Sequence, residues 1–103
     1  MNANILLIIL DSVRAQNTSL HGYRRETTPN IDKFASKATH YRQARSPGVG
    51  SPQTHTSLST GVPVHEHTVQ DDTYRLIPGT TVWERLADYG YDTGAFSHNP
   101  FLV

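Results

Sequence analysis

The clearest pattern in the chain is an unbroken apolar run near its start. Residues 5–10 are all Ile or Leu, and the run ends at the polar pair Asp11 and Ser12. A short run without alternation is typical of a strand covered on both faces, as in a parallel sheet, because a buried helix is usually longer. The pattern therefore predicts a central parallel strand over residues 5–10.

Helical spacing and capping residues predict a first helix after a polar loop at residues 14–28. Thr28 supplies an N-cap hydroxyl, and Pro29 suits the first helical position. An apolar stripe that can pack on a sheet follows at Ile31, Phe34, Ala35 and Ala38.

Two more helices are predicted in the second half of the chain. Residues 51–60 are rich in hydroxyls and end at Gly61, which suits a helix C′ position. Residues 81–84 have the sequence Thr-Val-Trp-Glu, a capping-box pattern that opens a helix ending at Gly90. The apolar positions Val82, Leu86 and Tyr89 of that helix are expected to pack on the sheet.

The remaining segments complete an α/β order of elements. Short strands are predicted at residues 39–44 and 91–97, and loops at residues 45–50 and 62–79. Strands and helices in this order predict a mostly parallel sheet flanked by helices. Because no closing element follows the last strand, we expect residues 1–103 to form one incomplete domain.

Composition narrows the classes of protein. The 103 residues are 36% apolar, and no apolar run approaches the roughly 20 residues of a membrane-spanning helix. Nine basic and nine acidic side chains cancel, so neither nucleic acid nor a membrane surface is an expected partner. The first residues lack the basic start of an export signal, and we expect a cytoplasmic protein. The absence of cysteine excludes disulfides and a cysteine nucleophile within these residues.

Two segments carry candidate chemistry. Asp11 follows the predicted strand at its carboxyl end, where open parallel sheets bind ligands, and a carboxylate there can hold Ca²⁺ or Mg²⁺. Ser51 opens a predicted helix after a Pro/Gly-rich loop, and a helix N-terminus favours a phosphate or sulfate group. His55 lies one turn later on the same face and can donate a hydrogen bond or transfer a proton. The alternatives are a turn-capping aspartate, an N-cap serine and a partly exposed helix histidine.

A further group of polar residues is a weaker candidate. His65, Glu66 and His67 have possible ligand character, although their spacing is not that of a standard metal motif. The many hydroxyls of residues 51–60 could line an active site, or could simply mark a helix of low propensity.

Five segments resemble, in the same order, the sulfatase family of the alkaline-phosphatase superfamily. They are residues 4–14, residues 22–32 with the run Thr-Pro-Asn-Ile-Asp, residues 51–61 with the ending Leu-Ser-Thr-Gly, residues 65–67 and residues 90–96. The resemblance implies an alkaline-phosphatase-like fold and a divalent cation, usually Ca²⁺, with Mg²⁺ or Mn²⁺ as alternatives. It places Asp11 as a metal ligand, and Ser51 as the residue that becomes formylglycine and contacts the metal.

These residues imply a hydrolase of sulfate esters with Ser51 and His55 as catalytic residues. An unmodified Ser51 would instead favour a phosphodiesterase or phosphotransferase of the same superfamily acting on a small phosphate ester. A non-catalytic fragment or binding module is the third alternative. Sulfatases take further metal ligands from a segment beyond residue 103, so we expect the isolated chain to be inactive without a complementary carboxyl-terminal polypeptide.

Overall fold

Two units make up the chain, residues 1–44 and residues 45–103, in a computed structural model that describes residues 3–69, 71 and 75–100. The first unit contains two short 3₁₀ helices, Ala15–Asn17 and Ser19–His21, and the helix α1, Pro29–Ala35. The second contains the helices α2, Ser51–Thr60, α3, Val64–His67, and α4, Val82–Asp88.

Side-chain hydroxyls hold the start of α1 against the second 3₁₀ helix. The backbone N–H of Thr28 donates to Ser19 Oγ over 3.0 Å, and Leu20 N–H donates to Thr28 Oγ1 over 3.3 Å. The Thr28 hydroxyl itself donates to Asp32 Oδ1 over 2.9 Å. The helix begins at Pro29 as predicted, but the Thr28 hydroxyl makes no capping bond to the helix backbone, because it bonds Asp32 and the neighbouring segment.

A histidine pair brings residue 40 next to the second 3₁₀ helix. The Nε2 atoms of His21 and His40 lie 3.3 Å apart, with the two rings edge to face. The hydroxyl of the buried Thr18 donates its single proton to Ala15 O over 2.7 Å, so its oxygen accepts from His21 Nδ1–H over 2.9 Å. In a neutral His21 ring, Nε2 is then an acceptor, and His40 Nε2 donates the hydrogen bond between the rings.

The predicted strands do not form ladders in the part of the chain that the structure describes. Residues 5–10, 39–44 and 91–97 have no regular secondary structure there. The six side chains of residues 5–10 are between 45% and 84% exposed. A strand requires a hydrogen-bonded partner, and no described segment provides one. The predicted burial of this run is therefore not observed, and the α/β fold remains a prediction.

Both local helix signals of the second unit are confirmed. Helix α2 begins at Ser51 and ends before Gly61, whose φ of +72° is the left-handed conformation that glycine adopts without strain. Helix α4 begins after Thr81, which accepts a hydrogen bond from Glu84 N–H. Residues 62–79, predicted as a loop, also contain the short helix α3.

The Glu84 carboxylate completes the capping box of α4. It accepts from Gly79 N–H over 2.7 Å at Oε1, and from the N–H and hydroxyl of Thr81 over 3.0 and 2.6 Å at Oε2. These hydrogen bonds favour the charged carboxylate and lower the pKa of Glu84 from 4.5 to about 2. The bond from Gly79 N–H makes the largest contribution.

Apolar burial contributes little to the described residues. Among them Val69 alone is a buried aliphatic side chain. The apolar faces predicted to pack on a sheet are exposed instead: Ile31 by 40%, Phe34 by 72%, Val82 by 40% and Tyr89 by 78%. Hydrogen bonds between nearby residues therefore hold each unit. None of the described helices is long and apolar enough to cross a membrane.

Candidate active site around Ser51

The loop before α2 packs tightly on the first turn of that helix. A Cβ atom on Gly48 would lie 2.8 Å from Gln53 Cβ, so only glycine fits there without a shift. The Gly48 carbonyl accepts from Ser46 Oγ over 2.6 Å and from Thr54 Oγ1 over 3.3 Å. These contacts fix the approach of the chain to Ser51.

Gln53 closes the other side of the loop. Its Oε1 atom accepts from Val49 N–H over 3.2 Å and from Gly50 N–H over 3.1 Å. Gly50 is extended, with φ −121° and ψ 162°, and its carbonyl accepts the first helical bond from Thr54 N–H. A side chain at the third helical position that binds the N-cap N–H is one half of a capping box. Ser51 is therefore held as the first residue of α2.

The Ser51 side chain is half-buried and contacts an amide from the end of the described chain. Asn99 Nδ2 donates to Ser51 Oγ over 3.2 Å. The backbone N–H of Asn99 donates in turn to Ser97 Oγ over 3.0 Å. Sequence reasoning did not identify Asn99, although its place just after the predicted strand at residues 91–97 is where ligand-binding residues of α/β sheets lie.

His55 lies one helical turn beyond Ser51 and is buried, as is its neighbour Thr56. It is thus less exposed than the partly exposed helix histidine that was the alternative to a functional residue, and burial alone does not assign it a function. A buried imidazole near Ser51 is compatible with the predicted role in hydrogen bonding or proton transfer, and that role remains a prediction.

Most hydroxyls of α2 form hydrogen bonds that hold neighbouring segments. Thr60 Oγ1 donates to Thr56 O over 2.7 Å and accepts from Val62 N–H over 3.2 Å. Ser57 Oγ lies 3.0 Å from His67 Nε2. These hydroxyls therefore have structural partners, and the hydroxyl-rich composition does not by itself indicate an active-site lining.

The predicted His65, Glu66 and His67 group divides into two different environments. His67 Nδ1 accepts from Val69 N–H over 3.0 Å, so the neutral ring carries its proton on Nε2 and donates to Ser57. In this tautomer His67 is a link between α2 and α3 and not a base for Ser57. His65 and Glu66 form an exposed contact of 3.7 Å, which contributes little in water.

Asp11, the predicted metal ligand, belongs to the first unit, whereas Ser51 belongs to the second. Asp11 is exposed, and its Oδ1 lies 3.4 Å from Ser12 Oγ. Within residues 3–69, 71 and 75–100, no three or more His, Cys, Asp or Glu side chains lie close enough together to hold a metal ion. The described residues thus do not form a complete cation site, although the carboxylate and hydroxyl oxygens suit Ca²⁺.

The sequence of the chain was compared with models of protein families, with curated proteins and with solved structures. The family model described as Sulfatase matches residues 3–101, which is almost the whole chain. The chain belongs to the sulfatase family. The predicted resemblance is thereby confirmed, and it supports a sulfatase-like function, with sulfate esters as the broad class of substrate. No curated protein and no solved structure matches the chain.

Proposed function

We propose that this sulfatase-family protein is a metal-dependent hydrolase of sulfate esters with Ser51 at the nucleophile position. The observation that carries the proposal is the Ser51 side chain, which opens α2 and contacts the Asn99 amide within the part of the chain that matches the family. The positive end of the α2 dipole favours an anionic ester at this helix terminus.

Ser51 acts in one of two chemical forms. As formylglycine, one hydroxyl of its hydrated aldehyde attacks the sulfur of the ester, as the family resemblance implies; the S–O bond to the alcohol breaks, and the alcohol leaves with a proton. As unmodified serine, its hydroxyl attacks phosphorus and displaces the alcohol, and the resulting phosphoserine passes its phosphoryl group to water or to a second alcohol; the protein is then a phosphodiesterase or phosphotransferase. The second form is kept because the chain has no cysteine and Ser51 is itself a hydroxyl nucleophile.

In the proposed reaction, His55 assists at the ester and Asp11 is a metal ligand. His55 donates a hydrogen bond or a proton to the ester, since it follows Ser51 by one turn of the same helix. Asp11 and Ser51 would each give an oxygen ligand to a divalent cation, Ca²⁺ by preference. A bound cation would supply positive charge against the anionic ester. Because calcium takes 6–8 oxygens, Asp11 and Ser51 would need further ligands or waters beside them.

We also propose that the isolated chain has no turnover and needs a complementary polypeptide. The aliphatic side chains of residues 5–10 are exposed, and full burial of each is worth about 1.5–3 kcal/mol. A second polypeptide that covered this run would therefore stabilise the chain. The incomplete set of metal ligands among the described residues supports it as well.

Mass spectrometry of the Ser51 peptide from the natively expressed protein tests the chemistry. Conversion of serine to formylglycine removes two hydrogen atoms, so the converted peptide is lighter. Turnover of aryl sulfate and aryl phosphate is then measured with Ca²⁺ or Mg²⁺, for the purified chain alone and for the chain with any polypeptide that copurifies.

We expect sulfate turnover with a converted Ser51, or phosphate turnover with an unmodified one, and loss of either in Ser51→Ala. An active preparation in which Ser51→Ala retains full turnover would exclude Ser51 as the nucleophile. Full turnover by the isolated chain would refute the need for a second polypeptide.

A further inference from the structure

We infer that Asn99 is a catalytic residue of this site, a neutral amide donor that orients the reacting oxygen of Ser51. This inference rests on the proposed function, because it assigns a role relative to the Ser51 nucleophile. It starts from a contact between side chains that are 48 positions apart in the sequence, Asn99 Nδ2 to Ser51 Oγ over 3.2 Å.

The Asn99 side chain is held by its own surroundings. Asn99 is half-buried, and its backbone N–H donates to Ser97 Oγ over 3.0 Å, which restrains the backbone from which the amide extends. Ser51 is fixed from the other side by the Gln53 bond to Gly50 N–H at the start of α2. The backbone at both partners is thus restrained by local hydrogen bonds that do not involve the contact itself.

The direction of the hydrogen bond determines what Asn99 can do. Its –NH₂ group donates, so Ser51 Oγ accepts with one lone pair and directs its own proton toward another acceptor. A donor at an oxygen that gains negative charge stabilises that charge, as in an oxyanion hole. Because the amide does not titrate near neutral pH, Asn99 cannot be the base that removes the proton.

An amide donor at this position suits both chemical forms of residue 51. With serine, it lowers the cost of the developing alkoxide during attack on phosphorus. With formylglycine, the same –NH₂ donates to the aldehyde oxygen or to a hydroxyl of its hydrate. A carboxylate in its place would repel both the developing oxyanion and an anionic ester, which distinguishes the amide from its closest isostere.

The contact itself is tested without any activity. In the ¹⁵N-labelled full chain, the Asn99 side-chain NH₂ signals are identified by their loss in Asn99→Asp. We expect Ser51→Ala to shift one of the two proton resonances of that group, and His98→Ala, at an exposed neighbour, to shift it much less. Unchanged Asn99 signals in Ser51→Ala would overturn the inference whatever the reaction turns out to be.

The catalytic part is tested on the natively expressed protein with any copurifying polypeptide. Removing the donor in Asn99→Ala is expected to lower kcat by about 10- to 100-fold with little change in KM, and to leave the pH profile in place. Asn99→Asp should lower kcat further and raise KM, because it adds negative charge. His98→Ala should behave as the wild type.

The outcomes distinguish a failure of the role assigned to Asn99 from a failure of the proposed function of Ser51. If Ser51→Ala abolishes turnover while Asn99→Ala or Asn99→Asp retains wild-type kcat, the role of Asn99 is wrong and the proposed function stands. If Asn99→Asp is more active than Asn99→Ala, the side chain accepts from Ser51 and the assigned direction is wrong. If the NMR contact is present but turnover survives Ser51→Ala, the proposed function fails and Asn99 has only a structural contact.

Discussion

Substitution of Gly48 by alanine tests whether the loop geometry positions Ser51. The added Cβ would lie 2.8 Å from Gln53 Cβ and 3.2 Å from Gln53 Oε1. Carbon atoms in contact prefer separations of about 3.5–4.0 Å, so the loop and helix must separate by roughly 0.7 Å or more. Gln53 Cβ is fixed to the helix backbone, so a rotamer change cannot relieve this overlap.

The expected cost follows from two opposing contributions. Overpacking of this kind costs about 1–3 kcal/mol, and alanine returns about 0.4–1 kcal/mol by restricting the unfolded chain. Displacement of Gln53 also weakens its bonds to Val49 and Gly50. We therefore expect Gly48→Ala to destabilise the start of α2 by about 1–2 kcal/mol, which corresponds to roughly 5- to 30-fold faster local opening.

Amide hydrogen exchange of Thr54 measures this opening, because its N–H donates the first helical bond to Gly50 O over 3.1 Å. Gly50→Ala is the matched control. A Cβ at Gly50 meets no atom closer than 3.6 Å, and its φ of −121° suits alanine, so we expect less than about 0.5 kcal/mol. Equal exchange rates at Thr54 in both variants would refute the steric argument for Gly48.

Two further predictions concern helix ends. Because the pKa of Glu84 is lowered to about 2 in the folded chain, its support for α4 is complete above about pH 4.5 and is lost as the pH falls toward 2. An NMR titration of the Glu84 carboxyl should show the lowered pKa, and Thr81→Ala should raise it. A wild-type Glu84 pKa at its ordinary value would contradict the capping box. Thr68 has φ +56°, so Thr68→Gly should stabilise the end of α3 by about 1 kcal/mol, whereas Gly61→Ala should cost a similar amount. Thermal unfolding compares the two variants, and destabilisation by Thr68→Gly would show that this backbone is not strained.

Local signals predicted three helix ends, because each depends on residues within one turn, whereas α1 ends at Ala35, before the predicted stripe position Ala38. The Thr81 capping box, the start at Pro29 and the end at Gly61 are of this kind. The strand predicted at residues 5–10 depends on a partner elsewhere, and apolar composition alone does not supply one.

In the candidate site, too, local features were predicted and contacts between distant residues were not. Ser51 at the head of α2 followed from the preceding glycines and from Gly61. The contact with Asn99 did not, since two residues 48 positions apart share no local pattern. The partners of the α2 hydroxyls could not be predicted from the sequence either. A hydroxyl-rich composition is the same whether the side chains bond His67 and Gly48 or line an active site.

The separation between Ser51 and Asn99 also sets a time interval during synthesis. A ribosome adds about 5–20 residues per second, so the 48 positions between them take about 2–10 s to make. Throughout that interval the Ser51 hydroxyl exists without the amide that later contacts it. An enzyme that converts Ser51 to formylglycine would therefore meet an unengaged side chain on the nascent polypeptide, and slower translation of residues 52–99 would lengthen its opportunity to act.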